Sequence, residues 1–154
     1  VLRNIDPSRL IFGKHLPKDE YLARYLVADL FLDTHPFNAG TTASDALRMG
    51  LPVLTMEGSS FNSREAASII SALNLPELIT TTSEEYESAA IELATHPEIL
   101  QIIKNKLVNN LSEAPLYNSS MFTRHLESAY SIMYDKYSQG FKLDHIYVKK
   151  LEAS

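Results

Sequence analysis

The sequence predicts an α/β domain: a parallel sheet flanked by helices, followed by a helical tail. Two observations predict it. Short apolar runs alternate with helix-like patterns through residue 81, the signature of parallel strands joined by helical crossovers. From residue 82 onward only the 3.6-residue period continues, so 82–154 reads as helical. With 154 residues and 45% hydrophobic content, residues 1–154 can bury one core and are expected to form one domain.

The elements follow in order. Asp6-Pro7-Ser8 is turn chemistry, and Arg9-Leu10-Ile11-Phe12-Gly13 reads as a first buried strand. Pro17-Lys18-Asp19-Glu20 opens a helix, with proline and acids in its first turn. Tyr21, Leu22, Tyr25 and Leu26 give that helix an apolar face. Asp29 to Thr34 reads as the second strand. A helix follows near Thr42–Met49 and stops at Gly50. Leu51 to Met56 is the third strand, with Pro52 at its start, where a missing N–H is tolerated.

Glu57-Gly58-Ser59-Ser60 reads as a loop, and Asn62 or Ser63 as the cap of a helix running to Leu73. Leu75-Pro76-Glu77-Leu78-Ile79 is expected to be a short fourth strand. Thr82-Ser83-Glu84-Glu85 has the pattern of a capped helix start. Helices are then predicted over 84–96, 97–111 and 119–138, the last ending at Gly140. Phe122, Leu126, Ala129, Met133, Tyr134 and Tyr137 form a helical stripe expected to pack, and Tyr117 and Tyr130 are read the same way.

Composition excludes several functions. The chain has no cysteine, which rules out disulfides, thiolate catalysis and a cysteine zinc site, and fits a reducing, cytoplasmic setting. Net charge is −5 with scattered basic residues, so no stripe exists to track nucleic acid. No apolar run reaches the length of a membrane span. The chain begins at Val1 without a signal peptide or an initiator methionine, which predicts a piece of a longer protein. HExxH, GxSxG and P-loop patterns are absent, which disfavours zinc protease, serine hydrolase and P-loop NTPase chemistry.

The chemistry concentrates in Asp33-Thr34-His35-Pro36-Phe37-Asn38-Ala39-Gly40-Thr41-Thr42-Ala43-Ser44-Asp45, between a strand and a helix start. Ligands of parallel α/β sheets bind beyond the carboxyl ends of the strands. Thr41 and Thr42 can offer hydroxyls and N–H groups to a diphosphate, since helix N-termini attract anions. Asp45, one turn on, can accept from ribose hydroxyls. Lys14 or Lys18 could neutralise phosphate or contact a base. Each residue also has a plainer reading. A Thr-Thr pair alone is first a helix cap, Asp45 alone a first-turn dipole residue, His15 a polar loop residue, and Arg64 half of a surface salt bridge. The loops on one sheet edge tilt the balance toward a site.

Several segments in order carry a family resemblance. Lys18-Asp19-Glu20-Tyr21-Leu22-Ala23-Arg24, Ala28-Asp29-Leu30-Phe31-Leu32-Asp33-Thr34 and Phe37 through Leu47 resemble the O-GlcNAc transferase family, with its SPINDLY-like relatives. Gly50 through Thr55, Ser63-Arg64-Glu65-Ala66-Ala67-Ser68 and Leu73 through Ile79 continue the match. The resemblance implies the GT-B arrangement, in which two Rossmann-like domains enclose the active site. It makes this chain the later part of the C-terminal, nucleotide-sugar-binding domain. It implies inverting transfer of N-acetylglucosamine from UDP to a protein Ser or Thr, with no metal or other cofactor. It assigns a uridine contact to Lys18, a place near the nucleotide to Arg24, the diphosphate to Thr41 and Thr42, and the ribose to Asp45.

Two positions depart from the family pattern. Gly40 stands where a histidine commonly precedes the Thr-Thr pair, and Tyr21 where the helix commonly carries a histidine. By the same resemblance, the diphosphate-binding lysine, the N-terminal-domain catalytic residues and the tetratricopeptide repeats that recruit the protein acceptor lie before Val1. No catalytic residue is therefore expected within 1–154, and the isolated chain is expected to be inactive. Fold alone leaves two alternatives open: a UDP-sugar epimerase-type enzyme and a non-catalytic nucleotide-sugar-binding module.

Overall fold

The computed structural model describes residues 5–149. Among the described residues three strands form the sheet: β1 (Phe31–Leu32), β2 (Val53–Met56) and β3 (Ile79–Thr80). They lie in the order β1-β2-β3 and are parallel throughout. Phe31 faces Val53 across the first ladder, and Thr55 faces Ile79 across the second. The helices are α1 (Lys18–Arg24), α2 (Thr41–Arg48), α3 (Glu65–Ala72), α4 (Ser83–Thr95), α5 (Pro97–Glu113) and α6 (Ser119–Ser138). The mixed α/β class and the parallel sheet agree with the sequence reading.

The core lies around the central strand. Val53, Leu54 and Thr55 of β2 are fully buried, as a strand covered on both faces requires. Helices α2, α3 and α4 all contact β2. Leu47, Ile70, Leu73, Leu75 and Leu78 close this core, and Leu107 brings α5 onto it. Gly50, at φ +80°, ends α2 in the left-handed conformation and lets the chain turn into β2. Among the described residues no helix is long and apolar enough to cross a membrane.

Four expectations need correction. Residues 9–13 are not a strand. Pro7–Arg9 is a 3-10 turn, capped by Asp6 Oδ1 accepting from Ser8 N–H at 2.9 Å, and the chain beyond it is irregular. Ile11 is 91% exposed and Phe12 88%. An apolar run becomes a strand only beside a ladder partner, and none of the described strands lies next to this one. The fourth strand is shorter and later than expected. Pro76–Leu78 is a 3-10 turn, because Pro76 cannot donate to a ladder, and only Ile79–Thr80 pair.

The start of α3 also differs. Its N-cap is Arg64, without a side-chain cap, because Ser63 Oγ is engaged with the Ser60 N–H, hydroxyl and carbonyl instead. The stripe on α6 exists but does not pack. No residue of α6 is buried, and Tyr137 is 81% exposed. Tyr130 and Tyr134 are exposed as well, so of the four tyrosines read as packing only Tyr117 joins the core.

Candidate functional site

The strand ends at one edge converge because all three strands run the same way. Asp33 follows β1 directly and is 7% exposed. Its Oδ1 accepts from the N–H groups of Thr34 and Ala39, both at 2.8 Å. Its Oδ2 accepts from the Thr55 hydroxyl at 2.6 Å. One buried carboxylate thus fixes both ends of the Thr34–Ala39 loop to the central strand. Asn38 adds to this: its Nδ2 donates to the Thr34 carbonyl at 2.8 Å, and its N–H donates to the Asn62 carbonyl at 2.9 Å. The loops after β1 and β2 are therefore tied together. Sequence reading gave Asp33 no role. Its signal was its place, the first polar residue after an apolar run.

That loop delivers Gly40 to the head of α2. Gly40 is the N-cap and supplies no side chain; the first intrahelical bond runs from the Ser44 N–H to the Gly40 carbonyl at 2.9 Å. Thr41 and Thr42 are exposed in the first turn, and neither hydroxyl caps the helix. Among the described residues nothing accepts from the N–H groups of Thr41 and Thr42. A helix start with free donors and a glycine cap is suited to an anion. Asp45 is half-buried one turn further on, and its carboxylate has no hydrogen-bond or ion-pair partner among the described residues.

Three phenols hold this segment in place. Tyr25, directly after α1, donates to the Thr42 carbonyl at 3.4 Å and hydrogen-bonds Tyr21. Tyr117 donates to the Ser44 carbonyl at 3.0 Å, and Tyr86 on α4 donates to the Asp33 carbonyl at 2.8 Å. Burial pushes the Tyr25 phenol far above its ordinary range, helped by the Tyr21 bond and by the negative Asp45 nearby. Burial also raises Tyr86, with the Asp33 charge adding to it. Burial raises Tyr117 against the opposing effect of its Ser44 bond.

The remaining sequence-predicted residues are placed less closely. Arg24 Nη2 donates to the Lys14 carbonyl at 2.7 Å, and its guanidinium packs so tightly on Gly13 that a Cβ there would stand 2.5 Å from Nη1. Arg24 thus anchors the 13–14 segment beside α1, while its charge reaches Tyr25. Lys18 is exposed at the start of α1 with no hydrogen-bond or ion-pair partner among the described residues, and Lys14 and His15 lie in the irregular segment before it. Arg64 is exposed and forms no salt bridge among the described residues. The structure brings Thr41, Thr42 and Asp45 together under Tyr25 and does not join Lys18 to them by direct contact.

Gly40 meets one more residue. A Cβ built on it would stand 2.0 Å from Glu65 Oε1 and 2.5 Å from Glu65 Cδ. The Glu65 carboxyl group therefore fills the space beside the head of α2. Among the described residues no group of three or more His, Asp or Glu side chains is placed to hold a metal ion.

The family model described as glycosyl transferase family 41 matches residues 1–126. A UDP-N-acetylglucosamine–peptide N-acetylglucosaminyltransferase of Caenorhabditis elegans is 35% identical over 95% of the chain. The SPINDLY protein of Hordeum vulgare is 34% identical over 82% of it. The chain spans 13% of the length of each of these relatives. Among solved structures, a mutant O-GlcNAc transferase of Thermobaculum terrenum superposes with a TM-score of 0.71 at 34% identity, covering 80% of this chain and 24% of that one. A three-stranded parallel sheet with its glycine-capped helix start, matched in sequence over most of its length, places the chain in glycosyl transferase family 41, alongside the O-GlcNAc transferases and SPINDLY proteins.

Proposed function

We propose that residues 1–154 form the UDP-sugar-binding part of an inverting protein O-glycosyltransferase that transfers N-acetylglucosamine from UDP-GlcNAc to Ser or Thr. The observation that carries this reading is the head of α2, where Thr41 and Thr42 offer unpaired N–H groups beyond the carboxyl ends of parallel strands. In this reading Thr41 and Thr42 hold the diphosphate and Asp45 the ribose. Lys18 contacts the uracil, and Arg24 shapes the nearby backbone. An acceptor hydroxyl attacks the anomeric carbon, and the bond to the β-phosphate oxygen breaks. The charge that grows on UDP is met by preorganised N–H donors and a helix N-terminus. The acceptor's proton goes to a group outside these residues, and no metal is needed.

The same reading makes the chain part of a longer protein. Its partners are a second Rossmann-like domain, repeats that present the protein acceptor, and a cytoplasmic substrate pool. Residues 1–81 carry the sheet and 82–154 the helical support, and the isolated chain does not turn over donor. Asp45→Ala in the full-length protein tests the site: UDP binding by calorimetry should weaken at least tenfold, as for loss of a hydrogen-bonded charge. Unchanged affinity sinks the assignment. A second reading, a nucleotide-sugar-binding module without turnover, is favoured by Gly40 and Tyr21 in place of the histidines the resemblance calls for. Full-length protein that binds UDP yet consumes no UDP-GlcNAc with any acceptor would select it, and release of free epimerised sugar would select an epimerase.

A further inference from the structure

The Glu65 carboxyl group lies where a side chain at position 40 would lie, with Oε1 2.0 Å and Cδ 2.5 Å from the Cβ position of residue 40. Gly40 is the N-cap of α2, and Glu65 is the first residue of α3. The carboxylate therefore stands between two helix starts, in the field that favours anions. It has no hydrogen-bond or ion-pair partner among the described residues, although Arg64 is its chain neighbour. It lines an open cavity of about 480 Å³ together with Glu57 and Arg64. A half-buried carboxylate without a partner among the described residues thus stands beside the helix start read as the diphosphate grip.

We propose that Glu65 is a specificity-determining residue of the donor site, set against the free diphosphate product and in favour of the sugar-esterified donor. The inference rests on the reading of Thr41 and Thr42 as the diphosphate grip. Its chemistry is a difference in charge. In the donor the β-phosphate is esterified by the sugar and carries one negative charge. In free UDP the same phosphate is a terminal group and carries nearly two at neutral pH. A fixed carboxylate beside the helix start repels the second more than the first. Each unit of like charge ~6 Å away in a largely hydrated site weakens binding about threefold, so two units weaken it on the order of tenfold. Glu65 thereby weakens product binding more than donor binding, which speeds a release step that limits many enzymes.

Calorimetry on the full-length protein tests this with three ligands: UDP, UDP-GlcNAc and uridine. Glu65→Gln is expected to tighten UDP roughly tenfold and UDP-GlcNAc only about threefold, and to leave uridine unchanged. Glu65→Ala, checked for folding by its melting curve, should give the same order. An equal change for all three ligands means Glu65 acts only on the structure of the site, and unchanged UDP affinity means its charge does not reach the diphosphate; either overturns the proposal. Asp45→Ala in parallel separates this from the underlying reading. Weaker UDP binding in Asp45→Ala with no response to Glu65→Gln sinks the Glu65 role alone, whereas no response to Asp45→Ala sinks the donor site itself.

Discussion

Asp33 and Thr55 join the two strands that carry the site: the Thr55 hydroxyl donates to Asp33 Oδ2 at 2.6 Å inside the protein. Thr55 is itself fully buried, and its carbonyl accepts from the Thr80 hydroxyl at 2.9 Å. A chain of polar contacts therefore crosses all three strands just below the loops. A buried carboxylate is tolerated here because both of its oxygens are satisfied.

Removing that carboxylate should unfold the edge. Asp33→Ala abandons two backbone N–H groups and the Thr55 hydroxyl, for an expected loss of about 3 kcal/mol. Asp33→Asn keeps the acceptor for Thr34 and Ala39 and can turn its amide toward the Thr55 oxygen, so it should lose less than half as much. Urea titration of both variants checks the order. Equal losses would mean that the charge, not the geometry, holds the loop.

The three phenols predict alkaline weakening. Each is held above the ordinary tyrosine value by burial first. A raised folded-state pKa means that the folded protein keeps its proton where the unfolded chain loses it. Their contribution is therefore complete below about pH 10 and falls as pH rises through the interval above it. Tyr25→Phe, Tyr86→Phe and Tyr117→Phe should each flatten the fall in melting temperature above pH 10. A slope unchanged in all three variants would show that other groups govern the alkaline limit.

Thr82 offers a local test. Its hydroxyl accepts from the Glu85 N–H at 3.1 Å, and Glu85 Oε2 accepts from the Thr81 N–H at 2.8 Å and the Thr81 hydroxyl at 2.9 Å. These bonds from Thr81 hold the Glu85 carboxyl below its usual range, so the arrangement weakens as acid protonates it. Thr82→Ala should cost about 1 kcal/mol, read from the melting temperature. A change below the resolution of the melt would mean that α4 starts without its cap.

These cases mark what a sequence can disclose. The Thr82 cap was legible because donor and acceptor sit three residues apart in a known pattern. The parallel sheet was legible because β2 is apolar on both faces and bounded by Gly50 and a polar loop. Ile11, Phe12 and the α6 stripe misled because hydrophobic period reports what a segment can bury, not whether a neighbour is present. Asp33 was visible only as a polar residue after a strand; its partners Ala39 and Thr55 lie in different elements. The meeting of Gly40 and Glu65 left no local trace at all, since it is made by the packing of α2 against α3.

That last meeting makes a prediction about stability that needs no ligand. Gly40 has a negative φ of −98°, so no left-handed backbone bars a side chain there, and what opposes one is the space that Glu65 occupies. What it meets is the flexible end of Glu65, which can swing toward the open cavity beside it. Gly40→His alone should therefore cost only about 1 kcal/mol, within the lower range for overpacking. Glu65→Ala empties the contested volume, so in that background Gly40→His should cost nothing measurable. The double variant would then be more stable than the sum of the single changes predicts, by at least ~0.5 kcal/mol. Strict additivity in urea titration would show that the imidazole and the carboxylate do not compete, and that Gly40 is held for a reason other than Glu65.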